Sequence, residues 1–178
     1  MELPIPTHLR PFLRAAGRKN TEYEVTGAVQ CCCGNEKFEV LESNKRQIVK
    51  LVCKQCGKEI VILDSGKHGW NGFVNREDFL DRTLPFKKHL CRKCSCDTFQ
   101  VEIWISSQGK QDFLDECVAN DASFSVDDWV NGFDWIKISL CCTDCSHKKR
   151  IGSIWKRCDS TYLGVFHFFK FTLVPAAP

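Results

Sequence analysis

The chain has 178 residues, 43% of them hydrophobic, with 13 Cys, 13 Phe and 5 Trp, and a formal net charge of +3. So much apolar and aromatic content excludes a disordered chain, and so small a charge excludes attraction to a polyanion by bulk electrostatics alone. The odd cysteine count, and a start from Met1 to Arg10 with no apolar core like a secretion signal, argue against a disulfide scaffold and for a reducing cytoplasm.

In chain order, Met1 to Gly17 predicts a lead-in with a short helix, Leu9, Phe12 and Leu13 giving an apolar side and Arg10 and Arg14 a basic one. Thr21 to Gln30 alternates weakly and predicts a strand. Strands are also predicted for Phe38 to Glu42 and Ile48 to Val52, separated by the polar turn Ser43 to Arg46, and again for Glu59 to Leu63. Asp64 to Phe73 reads as a glycine-rich loop. It presents His68, Trp70 and Asn71 either to a partner or, more simply, as a cap on the core.

Residues 76–88 read as a charged linker that divides the chain into 1–75 and 89–178. Phe99 to Ile105 places Phe99, Val101, Ile103 and Ile105 on one face, the period of a half-buried strand. An acidic insertion follows, about 106–134; between Gln111 and Asp134 it holds seven acids and no Lys or Arg. A helix is expected over Asp112 to Ala119 with Phe113, Leu114, Cys117 and Val118 inward. Trp129 to Leu140 returns as a strand, His147 to Arg150 is a basic turn, and Ile151 to Trp155 and Thr161 to Val174 complete a second sheet. The apolar run from Tyr162 to Pro175 is too short, and too interrupted by His167 and Lys170, to cross a bilayer, so no membrane partner is expected.

The chemistry lies in the cysteines. Cys31-Cys32-Cys33-Gly34 and Cys53-Lys54-Gln55-Cys56-Gly57 are two close pairs, each closed by a glycine. Such pairs let a tight turn present two thiolates to a tetrahedral zinc ion. Cys31 and Cys33 are preferred in the first pair because Gly34 then matches Gly57; Cys32 is the alternative. An internal copy is visible further on. Lys93 to Val101 echoes Cys31 to Val40, and Ile138 to Cys145 echoes Leu51 to Cys56, which gives a second quartet of Cys94, Cys96, Cys142 and Cys145. Cys91 and His89 are rival ligands, since Cys91-Arg92-Lys93-Cys94 is also a Cys-Xaa-Xaa-Cys pair. The fold expected is mostly β with short helices: two tandem zinc-ribbon-like antiparallel units carrying two Zn(2+) per chain.

The knuckles and hairpin of the first unit, with His68-Gly69-Trp70-Asn71-Gly72-Phe73 and the later Gly132 to Ile138, resemble a group of small uncharacterised bacterial proteins with tandem zinc-ribbon-like cysteine pairs. The resemblance spans about Val25 to Cys145 and departs at Ser146, where a glycine is expected. It implies zinc and a bacterial cytoplasm, and carries no activity.

Four thiolates close a metal site, and no nucleophile elbow, phosphate loop or deaminase motif is present, so the sequence predicts no enzyme. It predicts instead a protein-protein interaction module. Asp112, Asp115 and Glu116, with His68 and Trp70, would meet a basic protein such as a bacterial toxin, in the manner of an immunity protein. The competing expectation is a nucleic-acid-binding tandem ribbon using Arg10 to Lys19, Lys45, Arg46 and Lys148 to Arg150, with Trp70 or Trp104 stacking on bases.

Overall fold

The computed structural model describes residues 2–16, 20–43, 48–75, 85–119 and 124–155. It is mostly β and antiparallel, as expected, and the nine strands among the described residues join in one curled sheet. The turn expected at residues 44–46, the linker over 76–84 and the strand over 161–174 lie outside the described residues.

Two meanders of the same form dominate. In the first, β3 (Phe38–Ser43), β4 (Ile48–Cys53) and β5 (Glu59–Asp64) pair in sequence. In the second, β7 (Phe99–Ser106), β8 (Trp135–Cys142) and β9 (Lys148–Trp155) do the same. Each third strand carries one residue more than its partner at a register shift, opposite Val49/Lys50 in one meander and Lys137/Ile138 in the other. Such a bulge bends and twists the strand locally. The meanders meet where Phe38 pairs with Phe99. Both β1 (Leu13–Ala15) and β2 (Glu24–Val29) extend the second meander through β7, and the two-residue β6 (Lys87–Lys88) pairs with β3.

Strand patterning follows burial. Phe99, Val101, Ile103 and Ile105 are buried in β7, and Ile136, Ile138, Leu140 and Cys142 in β8, while the intervening residues face outward. These side chains join Phe38, Val40, Leu51, Ile60, Ile62 and Leu63 of the first meander in one shared core. Burying each large aliphatic side chain contributes roughly 1.5–3 kcal/mol.

Among the described residues 2–16, the N-terminal segment forms no helix. Residues 7–12 make tight turns, with Leu9 N donating to Pro6 O (2.8 Å) and Leu13 N to Leu9 O (2.8 Å), and β1 follows. Pro11 has no N–H to give a helix, so the expected periodic segment is interrupted at its middle. The insertion between β7 and β8 folds as α2 (Lys110–Ala119) and a 3₁₀ helix over Val126–Val130. Phe113 and Cys117 are inward as expected, but Val118 is 78% exposed. At about 100° per residue Val118 sits about 140° round the helix from Phe113, beyond the side that packs on Trp129 and Val130.

The first part of the expected loop, residues 65–68, is a turn, but from Gly69 the chain is helical as α1 (Gly69–Asn75). Trp70 meets Phe113 edge-on at 5.7 Å and Phe73 meets Phe124 at 5.0 Å, so this helix clasps the insertion in a second aromatic cluster with Trp129 and Val130. Close backbone approach fixes the clasp. A Cβ on Gly72 would lie 2.5 Å from Ser65 O and 2.7 Å from Lys67 N, and one on Gly132 would lie 2.6 Å from the Phe113 ring. No helix among the described residues is long and apolar enough to cross a membrane.

Candidate metal centres

Each centre is made by two turns at the same end of a β hairpin. In the first, Cys31 N donates to Asn35 O and Gly34 N to Cys31 O, both at 2.8 Å, while Cys53 N donates to Lys58 O and Gly57 N to Cys53 O, both at 2.9 Å. Gly34 and Gly57 take φ of 86° and 72°. These left-handed values come at little steric cost for glycine. The turns fold the chain so that Cys31, Cys33, Cys53 and Cys56 converge, all four Sγ atoms lying within 4.8 Å of one another.

The second centre repeats this almost bond for bond. Cys91 N donates to Cys96 O and Ser95 N to Cys91 O, both at 2.8 Å, while Cys142 N donates to His147 O and Ser146 N to Cys142 O, both at 3.0 Å. Ser95 and Ser146 occupy the two glycine positions, with φ of 59° and 56°. Phe38 pairs with Cys53 in one hairpin, and Phe99 with Cys142 in the other.

The quartet so formed is Cys91, Cys94, Cys142 and Cys145, again within 4.8 Å. It differs from the expected set by holding Cys91 in place of Cys96. The reason is the turn. Its left-handed residue directly follows the second ligand, so Ser95 aligns with Gly34, Cys94 with Cys33, and Cys96 with Asn35; the first knuckle is one residue shorter. Cys96 lies past the turn, where its Sγ accepts from Thr98 N at 3.3 Å and sits 3.8 Å from Thr143 Oγ1. Matching Cys-Xaa-Cys to Cys-Xaa-Cys hid this. The Cys-Xaa-Xaa-Cys spacing shared with Cys53/Cys56 and Cys142/Cys145 was the signal that favoured Cys91. His89, the other rival, pairs through Nδ1 with Glu42 Oε1 and is no part of the group. Cys32 is exposed, 3.9 Å from Cys31 Sγ.

The donor sets fit a single tetrahedral ion. Metal–sulfur bonds of about 2.3 Å place sulfurs about 3.8 Å apart around a tetrahedron. Cys31–Cys56 and Cys33–Cys53 are 3.5 and 3.6 Å apart; Cys91–Cys145, Cys94–Cys142 and Cys94–Cys145 are 3.5, 3.4 and 3.4 Å. Two groups of four cysteines can therefore each hold a metal ion.

The electrostatics of each quartet prepare it for a cation. Burial pushes the Cys53 thiol up, but N–H groups of Cys56, Asn35 and Gln55 outweigh it and bring the thiol down to about 6. In the second quartet the Lys93 N–H, against burial and with the Cys94 N–H and neighbouring thiols, brings Cys91 down to about 6. Burial together with neighbouring thiols pushes Cys31 up to about 12 despite the Cys33 N–H. Cys94 also rises to about 12: the Cys96 N–H opposes that rise, and burial and the Cys145, Cys142 and Cys91 thiols overcome it. Each quartet thus sets a thiol drawn down by N–H groups beside one pushed up by its neighbours, and a cation that enters displaces the protons its thiols still hold.

The remaining expected site residues are placed differently. Asp112 and Asp115 are exposed on α2 and Glu116 is half-buried, so the acidic face exists. Trp70 is held in the clasp. His68 stacks on His8 with centroids 3.7 Å apart, and its Nδ1 accepts from Asp64 N at 3.1 Å. His68 and Trp70 are therefore engaged within the molecule. Compared with protein-family models, curated proteins and solved structures, the chain matches none.

Proposed function

We propose that the protein is a non-enzymatic binding protein whose two cysteine quartets each hold a structural zinc ion. The observation that carries this reading is closure: four sulfurs lie within 4.8 Å of one another at each centre, enough to fill every position of a tetrahedral ion and leave none for a substrate or an activated water. Zinc fits the all-thiolate donor set better than harder cations, which prefer oxygen. Coordination of this kind supplies of order 10–16 kcal/mol of apparent folding free energy in small peptides, so the metals would act as staples for the turns. Elemental analysis of the purified chain should give two zinc per chain. A metal-free, fully folded chain would end the reading.

For the partner, the acidic face of α2 favours a basic protein. Asp112 and Asp115 are three apart, as are Asp115 and Val118, so each pair shares one stretch of helix surface, and Val118 is 78% exposed. An acidic helix surface with an exposed apolar side chain suits a partner of opposite charge. A toxin-neutralising role is the concrete form of this reading. Charge reversal at Asp112 and Asp115 should abolish recovery of a basic partner with the intact chain.

A second reading has its own observation. On the outward sheet face, Lys137 Nζ lies 4.1 Å from the centre of the Trp104 ring, and Arg150 and Lys148 are exposed opposite Ser139 and Cys141 on the same face. A ring beside cations suits single-stranded nucleic acid. Binding to labelled RNA and DNA across a salt series separates the two: tight binding that weakens steeply with salt supports nucleic acid, and none at low salt leaves the protein partner.

A further inference from the structure

The two centres share their backbone bonds but not the side chain that touches the metal-binding sulfurs. In the first, Asn35 Nδ2 donates to Cys53 Sγ at 3.2 Å and is braced on Lys37 O at 2.6 Å. In the second, the equivalent residue is Cys96, whose thiol reaches the equivalent carbonyl, Thr98 O, at 3.5 Å. The match rests on Lys54 N bonding Lys37 O at 3.0 Å and Thr143 N bonding Thr98 O at 3.1 Å. Among the described residues no side-chain N–H reaches Cys142, the counterpart of Cys53.

An N–H bond to a coordinated sulfur withdraws charge from it, fixes its lone-pair direction and makes it harder to protonate or displace. Outer partners of this kind typically cost 10–100-fold in metal affinity when removed. From this geometry we infer that Asn35 is a positioning residue for the first metal, and that the second centre, with Cys96 in that place, is the exchangeable one: it gives up zinc to a competing ligand while the first keeps its own. The inference rests on the zinc reading above. It makes the two staples unequal, one permanent and one open to exchange with a metal acceptor or a thiol-reactive compound.

The test uses the full-length zinc-loaded chain and a chromophoric zinc chelator. Release should be biphasic, one equivalent in each phase and the rates about 10–100-fold apart. Alkylation followed by peptide mass mapping after the first equivalent has left should find Cys91, Cys94, Cys142 and Cys145 modified and Cys31, Cys33, Cys53 and Cys56 protected. Exposed Cys32 reacts throughout and serves as the reference. Asn35→Ala should merge the slow phase into the fast one, and Cys96→Asn should slow the fast phase.

Cobalt substitution supplies a readout that a merely structural role would not move. Loss of the N–H bond in Asn35→Ala should shift the first centre's sulfur-to-cobalt charge-transfer band to lower energy, and Cys96→Asn should shift the second centre's band the other way. Two zinc ions leaving in a single phase, the first quartet modified first, or an Asn35→Ala protein with unchanged release and spectrum would overturn the inference while leaving two structural zinc ions intact. A chain isolated without metal would overturn the zinc reading itself.

Discussion

The long strands β7 and β8 are closed at one end by cysteine turns and at the other by packed rings, and the two ends are held by different physics. At the cysteine end, backbone turns bring four thiols within 4.8 Å of one another, an arrangement that can hold a metal ion. At the other end, α1, α2 and the 3₁₀ helix close on Phe113, Trp129 and Trp70 without any ion. Sulfur chemistry therefore governs one end, and steric fit the other.

The largest expected effects break the metal end. Cys53→Ser or Cys142→Ser should each remove one metal equivalent and several kcal/mol of stability, read by elemental analysis and urea unfolding. Cys91→Ser should do the same, whereas Cys96→Ser should retain two metals; the reverse pattern would restore Cys96 as a ligand.

An intermediate effect breaks the clasp alone. Gly72→Ala forces a methyl into the backbone of Ser65 and Lys67 and should cost about 1–3 kcal/mol while both metals stay bound. Loss of metal in that variant would show that the two ends are not independent.

The stacked His8–His68 pair adds a pH-dependent contribution beside the clasp. Burial, with His8 and Lys67 nearby, lowers His68 to about 3, and burial also lowers His8 against the pull of Ile62 O. Both are bases with folded values below the unfolded 6.5, so the unfolded chain takes up their protons first. The His68 contribution is complete above about pH 6.5 and falls as pH drops from there toward 3, by at most about 1.4 kcal/mol per pH unit, and His8 acts in the same direction. The difference in unfolding free energy between the native chain and His68→Gln, followed from pH 7 to pH 4, should narrow as acid is added. Taking the difference cancels the metals' own acid sensitivity.

The smallest effect is a gain. Ser95→Gly and Ser146→Gly relieve side chains from left-handed turns and should each stabilise by about 1 kcal/mol, read as a higher midpoint with unchanged metal content.

The same contrast decides what could be read from the sequence. Strand positions were legible because alternation has a fixed period, as in Phe99 to Ile105, and the repeat of cysteine pairs announced both centres. The ligand Cys91 was harder to see because the two knuckles differ by one residue, and the left-handed role of Ser95 is invisible when a serine stands where its counterpart is a glycine. Asn35 carried no signal at all: its contact with Cys53 exists only after both turns have formed. The clasp was legible as glycines and rings but not as a helix, since its shape comes from Phe113 and Phe133 far along the chain.

Lys54 lies between two ligands of the first centre, and Asp97 follows the turn of the second. They meet at 3.1 Å, and Lys88 bridges Asp97 (3.2 Å) to Glu39 (2.7 Å). These contacts tie the loop of one cysteine quartet to the loop of the other. Each pair is half exposed and individually weak, yet a metal that fixed one turn would also hold the residue with which the neighbouring loop pairs. Loading should accordingly show mild positive cooperativity in dilute buffer and become independent in about 1 M salt, where the screening length shrinks to about 3 Å.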